Sequence, residues 1–166
     1  LILDLRGNPG GFMKECVDLV SNFVPKDKVI VSTIDRYGNK EESVSKGGIA
    51  QGMPLVVLID GGTASASEIV AGAIRDYDLG TLVGTTSFGK GIVQVVLDKI
   101  GQEKDGTALK VTISKYYTPN GENIHKKGIG PDVTVEYPKE LKEKTYSRST
   151  DPQFEKALEI IQEKIK

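Results

Sequence analysis

The sequence holds no Trp, one Cys and one His among its 166 residues. A lone cysteine, Cys16, excludes an intramolecular disulfide, and with only His125 beside it no Cys/His zinc cluster can form. Any histidine-based triad would have to use His125. An excess of one charge is lacking too: 22 Lys and Arg stand against 23 Asp and Glu, a formal charge of −1. No basic surplus favours a phosphate backbone, so no nucleic-acid partner is expected. No apolar run approaches the roughly eighteen residues of a spanning helix, and no basic stretch leads into an apolar one as in a leader. The chain is 38% hydrophobic and 27% charged, enough for one ordinary core. It opens on Leu1-Ile2-Leu3-Asp4-Leu5-Arg6, a strand already under way, so a fragment of a longer protein is expected.

What is present alternates between strand and helix patterns. Arg6 to Gly11 is a breaker cluster that must turn the chain. Phe12 to Val24 then carries apolar residues at helical spacing and stops at Pro25. Val29 to Ile34 reads as a strand, followed by a turn at Tyr37 to Lys40. Pro54 to Asp60 is a near-continuous apolar run, as in strands covered on both faces. A helix follows, with Ile69, Val70, Ala73, Ile74 and Tyr77 inward. Leu79–Gly84, Ile92–Leu97 and Ala108–Tyr117 read as strands, the last two antiparallel across Asp105-Gly106. Residues 139–149 are a polar linker. Asp151-Pro152 caps a final helix over 150–166, whose stripe Phe154, Ala157, Leu158, Ile161 and Ile165 is offered to a second copy of the chain. The fold class expected is α/β.

Three segments can carry chemistry. Ser65 follows the Pro54–Asp60 strand and two glycines, at a helix start, where α/β folds present ligands and nucleophiles. Free N–H groups and the helix dipole there would stabilise an oxyanion. The same residues also fit a capping box, with Ser65 as N-cap and Glu68 reaching back. Gly84 to Gly91 has the spacing of a phosphate loop, yet Gly91 replaces the magnesium-holding Ser or Thr and a β-branched run follows instead of a helix. Otherwise Lys90 is a surface lysine, or one delivered between glycines into a site. A lysine acts as a base only when neutral, and Phe88, Ile92 and Val93 are the neighbours expected to bury it. Gly10 and Gly11 either make a tight turn or offer N–H groups before the first helix. His125 reads as a loop histidine and Cys16 as a small buried hydrophobe.

Four blocks, in order, resemble the carboxyl-terminal processing (tail-specific) proteases. They are Leu3 to Gly11, Asp60-Gly61-Gly62-Thr63-Ala64-Ser65-Ala66-Ser67-Glu68 running to Ala73, Ser87-Phe88-Gly89-Lys90-Gly91-Ile92-Val93-Gln94, and Tyr116 to Gly121 leading on to Lys127–Asp132. The resemblance implies a ClpP/crotonase-like serine peptidase core over residues 1–138, without the upstream strands and PDZ domain that the family carries. It places the nucleophile on Ser65, the base on Lys90, the supporting glutamine on Gln94, and the oxyanion donors on Ala66 and on Gly10 or Gly11. Asp76 falls on a supporting aspartate, and Thr63 stands where the family usually has Ser.

The activity so implied is ATP-independent endoproteolysis near apolar C-termini through an acyl-enzyme, without cofactor or metal. Its partners are protein or peptide substrates, and its location extracytoplasmic: periplasm, cell envelope or secreted, with the full-length protein at the membrane. The alternative is a catalytically silent scaffold or interaction fragment, with a P-loop-like nucleotide binder more distant.

Overall fold

Residues Leu55 to Ile59 are all fully buried, as a strand covered on both faces requires. The structure, a computed structural model, describes residues 1–98 and 106–166. In chain order its elements are β1 (Ile2–Asp4), α1 (Met13–Ser21), β2 (Val29–Asp35), β3 (Lys40–Val44), β4 (Val56–Ile59), α2 (Ala66–Asp76), β5 (Thr81–Gly84) and β6 (Ile92–Leu97). After them come β7 (Leu109–Tyr117), β8 (Val133–Thr134), α3 (Lys139–Lys142), a 3₁₀ turn at Arg148–Thr150, and α4 (Pro152–Lys164).

The strands form two four-stranded sheets. One has the order β1-β4-β5-β8 and is parallel throughout; the other, β3-β2-β7-β6, is antiparallel. Parallel neighbours need a crossover, and α2 supplies the one between β4 and β5. Because side chains alternate along a strand, Val57 and Ile59 of β4 point one way and Val56 and Leu58 the other. Val57, Ile59 and Leu82 pack with Cys16, Val17 and Val20 of α1 and Ile69, Ala73 and Ile74 of α2. The same cluster takes in Ile30 and Val31 of β2 and Tyr116 of β7, so α1 and α2 pack against both sheets.

Val56, Leu58 and Val83 form the opposite face, and Ala157 and Ile161 of α4 cover it. The apolar stripe expected to receive a second copy is therefore largely occupied by the chain's own sheet. Ala157 is fully buried and Phe154 partly so, while Leu158 and Ile165 remain exposed. Helix α4 belongs to this core rather than standing apart from it. Its start is pinned by Arg6, whose guanidinium pairs with Asp4 and Asp151, each at 2.7 Å, and donates to Gln153 at 2.9 Å. Asp151 in turn accepts the N–H groups of Gln153 and Phe154.

Two features depart from the sequence reading. The polar segment Lys40–Val44 is an edge strand, paired antiparallel with β2. The 139–149 linker contains the short α3 and the start of the 3₁₀ turn, with no buried residue. The β6/β7 hairpin pairs antiparallel as expected; of its predicted turn, Asp105 lies outside the described residues. No described helix is long and apolar enough to cross a membrane.

Candidate active site

Ser65 directly precedes α2 with φ +57° and ψ −119°, a conformation costing of order 1–3 kcal/mol for a residue with a side chain. Such strain persists only where neighbours hold it. The Ser65 N–H donates to Glu68 Oε2 at 2.8 Å, and the Tyr116 hydroxyl, which donates to the Lys90 carbonyl, lies 3.2 Å from the Ser65 carbonyl oxygen. Ser65 and Glu68 form the capping box that the sequence offers, with the Glu68 carboxylate accepting the Ser65 N–H. The Ser65 side chain lies near the Glu68 N–H, at a geometry looser than a full hydrogen bond. The Glu68 N–H goes instead to the Ser65 carbonyl at 2.9 Å.

Loops far apart in sequence fasten this turn. Thr63, fully buried, donates its hydroxyl to the Leu5 carbonyl at 2.8 Å, and Ala64 N–H donates to the Asn8 carbonyl at 3.0 Å. The Thr63 carbonyl accepts from Phe88 N–H at 2.9 Å, which ties in the lysine loop. Gly10 (φ +90°) lies against the turn; its N–H donates to Asn8 Oδ1 at 2.9 Å. Among the described residues, the N–H groups of Gly11 and Ala66 have no hydrogen-bond partner.

The glycines around Lys90 serve close backbone packing. A β-carbon on Gly89 would lie 2.9 Å from Gly128 N, and one on Gly91 would lie 2.6 Å from His125 N. The N–H groups of Ser87, Phe88, Gly89 and Lys90 already donate, to the carbonyls of Ile129 and Thr63 and to the Glu68 carboxylate, so none is open to cradle a phosphate. Strand β6 then follows, not a helix. The phosphate-loop reading falls on both counts.

Ser65, Ala66, Lys90, Gln94, Gly11 and Tyr116 line one cleft of about 320 Å³. The structure thus brings together residues from the first loop, the α2 start, the lysine loop and β6. Within the cleft the Ser65 hydroxyl and the Lys90 side-chain nitrogen are not hydrogen bonded to each other. Gln94 donates to Thr112 Oγ1 at 3.2 Å rather than to Lys90. A register shift between Val93 and Gln94 sets where Gln94 emerges, as bulges do near functional sites. Ile92 and Val93 line the cleft as expected, but Phe88 is 66% exposed and does not wall it.

The other sequence candidates lie outside. Asp76 ends α2, bonded to Arg75 at 2.8 Å and to Asn120 N–H at 2.9 Å. His125 is half-buried beside Gly91 with an unpartnered Nδ1. Cys16 is buried behind Ala66, donates to its carbonyl at 3.2 Å, and has its thiol pushed up to about 12 by burial. A larger cavity of about 750 Å³ opens at the ends of β1 and β4 beside Arg6 and Lys142, and contains none of Ser65, Lys90 or Gln94. Among the described residues no group of three or more His, Cys, Asp or Glu could hold a metal. Sequence reasoning missed the roles of Tyr116 and Ser87, and it gave Glu68 only a capping role.

The chain has relatives among known proteins. The chain is 42% identical over 160 residues to a carboxyl-terminal-processing protease of a Synechocystis strain, covering 96% of this chain and 36% of that protein. It is 41% identical over 138 residues to the carboxy-terminal processing protease CtpB of Bacillus subtilis, covering 83% of this chain and 28% of that one. Among solved structures, a photosystem II D1 C-terminal processing protease superposes with a TM-score of 0.73 at 38% identity, over 82% of this chain and 34% of the other. The chain therefore spans about a third of the length of the curated relatives it matches. Residues 1–135 match the sequence model of peptidase family S41, and the chain belongs to that family.

Proposed function

We propose that the chain carries the catalytic groups of a serine endopeptidase that cleaves protein substrates near an apolar C-terminus, without ATP. The observation that carries this reading is the strained Ser65, facing the same cleft as Lys90. Neutral Lys90 takes the Ser65 hydroxyl proton as Oγ bonds to the scissile carbonyl carbon. The oxyanion forms toward the N–H groups of Ala66 and Gly11, since Gly10 N–H is already committed to Asn8. Collapse breaks the C–N bond, and the Lys90 ammonium returns a proton to the leaving amine. Lys90 then activates the water that releases the acyl group. Gln94, which bonds Thr112 in this structure, orients the amine once it turns toward Lys90, and Asp76 supports the α2 terminus and the loop at Asn120. Selection of the apolar tail belongs to the PDZ domain and upstream strands of a longer protein, acting outside the cytoplasm.

In the full-length protein, Ser65→Ala and Lys90→Ala should each lower kcat/KM by on the order of 10³-fold or more, while His125→Ala retains most activity. Near-wild-type turnover by Lys90→Ala would sink the dyad. A second reading, a catalytically silent fragment, draws on Gln94 being bonded to Thr112 and on the unmade Ser65–Lys90 bond. Stoichiometric fluorophosphonate labelling of Ser65 in chain 1–166 supports the protease; absence of labelling supports the silent fragment.

A further inference from the structure

We propose that Glu68 is a positioning residue that fixes Lys90 relative to Ser65, an inference that rests on the Ser–Lys reading above. Glu68 is fully buried and accepts four hydrogen bonds. Its Oε2 receives the backbone N–H groups of both Ser65 and Lys90, each at 2.8 Å. Its Oε1 receives the Ser87 hydroxyl at 2.5 Å and the Gly89 N–H at 2.7 Å. One oxygen therefore touches the main chain of both dyad residues, while the other clamps the loop that delivers the lysine. Ser87 Oγ also accepts Ile129 N–H at 2.7 Å, which extends the clamp to the loop packed behind Lys90.

A capping role explains only one of these bonds, the one to Ser65 N–H. It also does not call for burial, because a capping glutamate works at the surface. Burying an acid with no cation paired to it among the described residues is unfavourable unless every lone pair is used. Here the donors converge from two segments about twenty residues apart, whose separation must be held to a fraction of an ångström for proton transfer. Misplacement by about 1 Å can cost a hundredfold in rate.

Glu68→Gln preserves shape but has a single acceptor oxygen, so one of the two bridges must fail. In the full-length protease, with a peptide substrate, Glu68→Gln should lower kcat about 10- to 100-fold with KM changed less than about twofold. The rate of fluorophosphonate labelling should fall in parallel. Ser87→Ala, which removes one donor and leaves the Oε2 bridge, should lower kcat less, about 3- to 10-fold. Wild-type kcat in folded Glu68→Gln, or a loss confined to KM or to the melting temperature, overturns the inference. Should Glu68→Gln fail to fold, Ser87→Ala decides: a lower kcat at constant KM supports the clamp, and an unchanged kcat refutes it. Ser65→Ala and Lys90→Ala are assayed alongside. Their retaining turnover overturns the dyad itself, whereas their loss beside a normal Glu68→Gln overturns the clamp alone.

Discussion

Gly10 lies so close to Ala66 that a β-carbon on it would stand 2.7 Å from the Ala66 nitrogen. The Ala64 carbonyl oxygen would be 2.6 Å away and the Ser65 β-carbon 3.0 Å. Backbone atoms on both sides leave nothing flexible to give way, and φ of +90° is itself unfavourable for alanine. Gly10→Ala must therefore displace the turn that carries Ser65 and the Ala66 N–H. If that N–H is an oxyanion donor, kcat should fall on the order of 10²- to 10³-fold. Gly130→Ala is the control, because a β-carbon there meets nothing within 4 Å and should leave kcat unchanged.

Tyr116 joins the same two residues as Glu68, but at their carbonyl oxygens rather than at their N–H groups. Its hydroxyl, on a ring only 2% exposed, reaches the carbonyl oxygens of Ser65 and Lys90. Tyr116→Phe keeps the ring and removes this link, leaving the Lys90 carbonyl short of a donor. A lost buried hydrogen bond costs about 1–3 kcal/mol, so the melting temperature should fall by about 2–12 °C. Steady-state kinetics should show a lower kcat, since the main chain of Ser65 and Lys90 loosens. An unchanged kcat in a destabilised protein would confine Tyr116 to stability.

The sequence was most informative where a physical requirement is local. The run from Leu55 to Ile59 announces a strand covered on both faces, and Ser65 after Gly61-Gly62 sits where such strands present chemistry. It was least informative where an outcome depends on register or on distant loops. Lys40–Val44 is a strand through its pairing with β2, although its Lys, Glu and Ser suit an exposed edge and carry little apolar signal. Phe88 faces away because its neighbours Ser87 and Gly89 are held by Glu68, and no spacing rule shows that. The convergence of Glu68 and Tyr116 on Ser65 and Lys90 likewise depends on how two sheets sandwich α2.

Cys16 gives the fold an alkaline weakness. Burial raises its thiol from 9.0 to about 12, so between these values the unfolded chain loses the proton and the folded chain keeps it. The unfolded state then binds fewer protons, and stability falls as pH rises, by at most about 1.4 kcal/mol per unit. Below about pH 9 the contribution is fully present. Tyr116, also raised by burial and by the nearby Glu68 and Cys16, acts with the same sign at higher pH. Melting curves from pH 8 to 10.5 should therefore fall more steeply for the wild type than for Cys16→Ala, while Tyr116 acts in both. Equal slopes would show that the thiol titrates as in the unfolded chain.

Ile161 tests whether α4 is part of the folding unit. Its side chain is 8% exposed and packs with Ala157 onto Val56, Leu58 and Val83. Truncating a buried isoleucine removes transfer energy and leaves a cavity, together about 2–5 kcal/mol. Ile161→Ala should therefore lower the urea midpoint clearly, in one cooperative transition that includes the sheet. Leu158→Ala, on the exposed side of the same helix, should change stability by less than about 0.5 kcal/mol. A separate, dispensable helix would give the opposite pattern: an early, shallow transition for α4 alone and an unshifted midpoint for the rest. The apolar face of β4 argues against that pattern, because without α4 the side chains of Val56 and Leu58, both fully buried here, would face water.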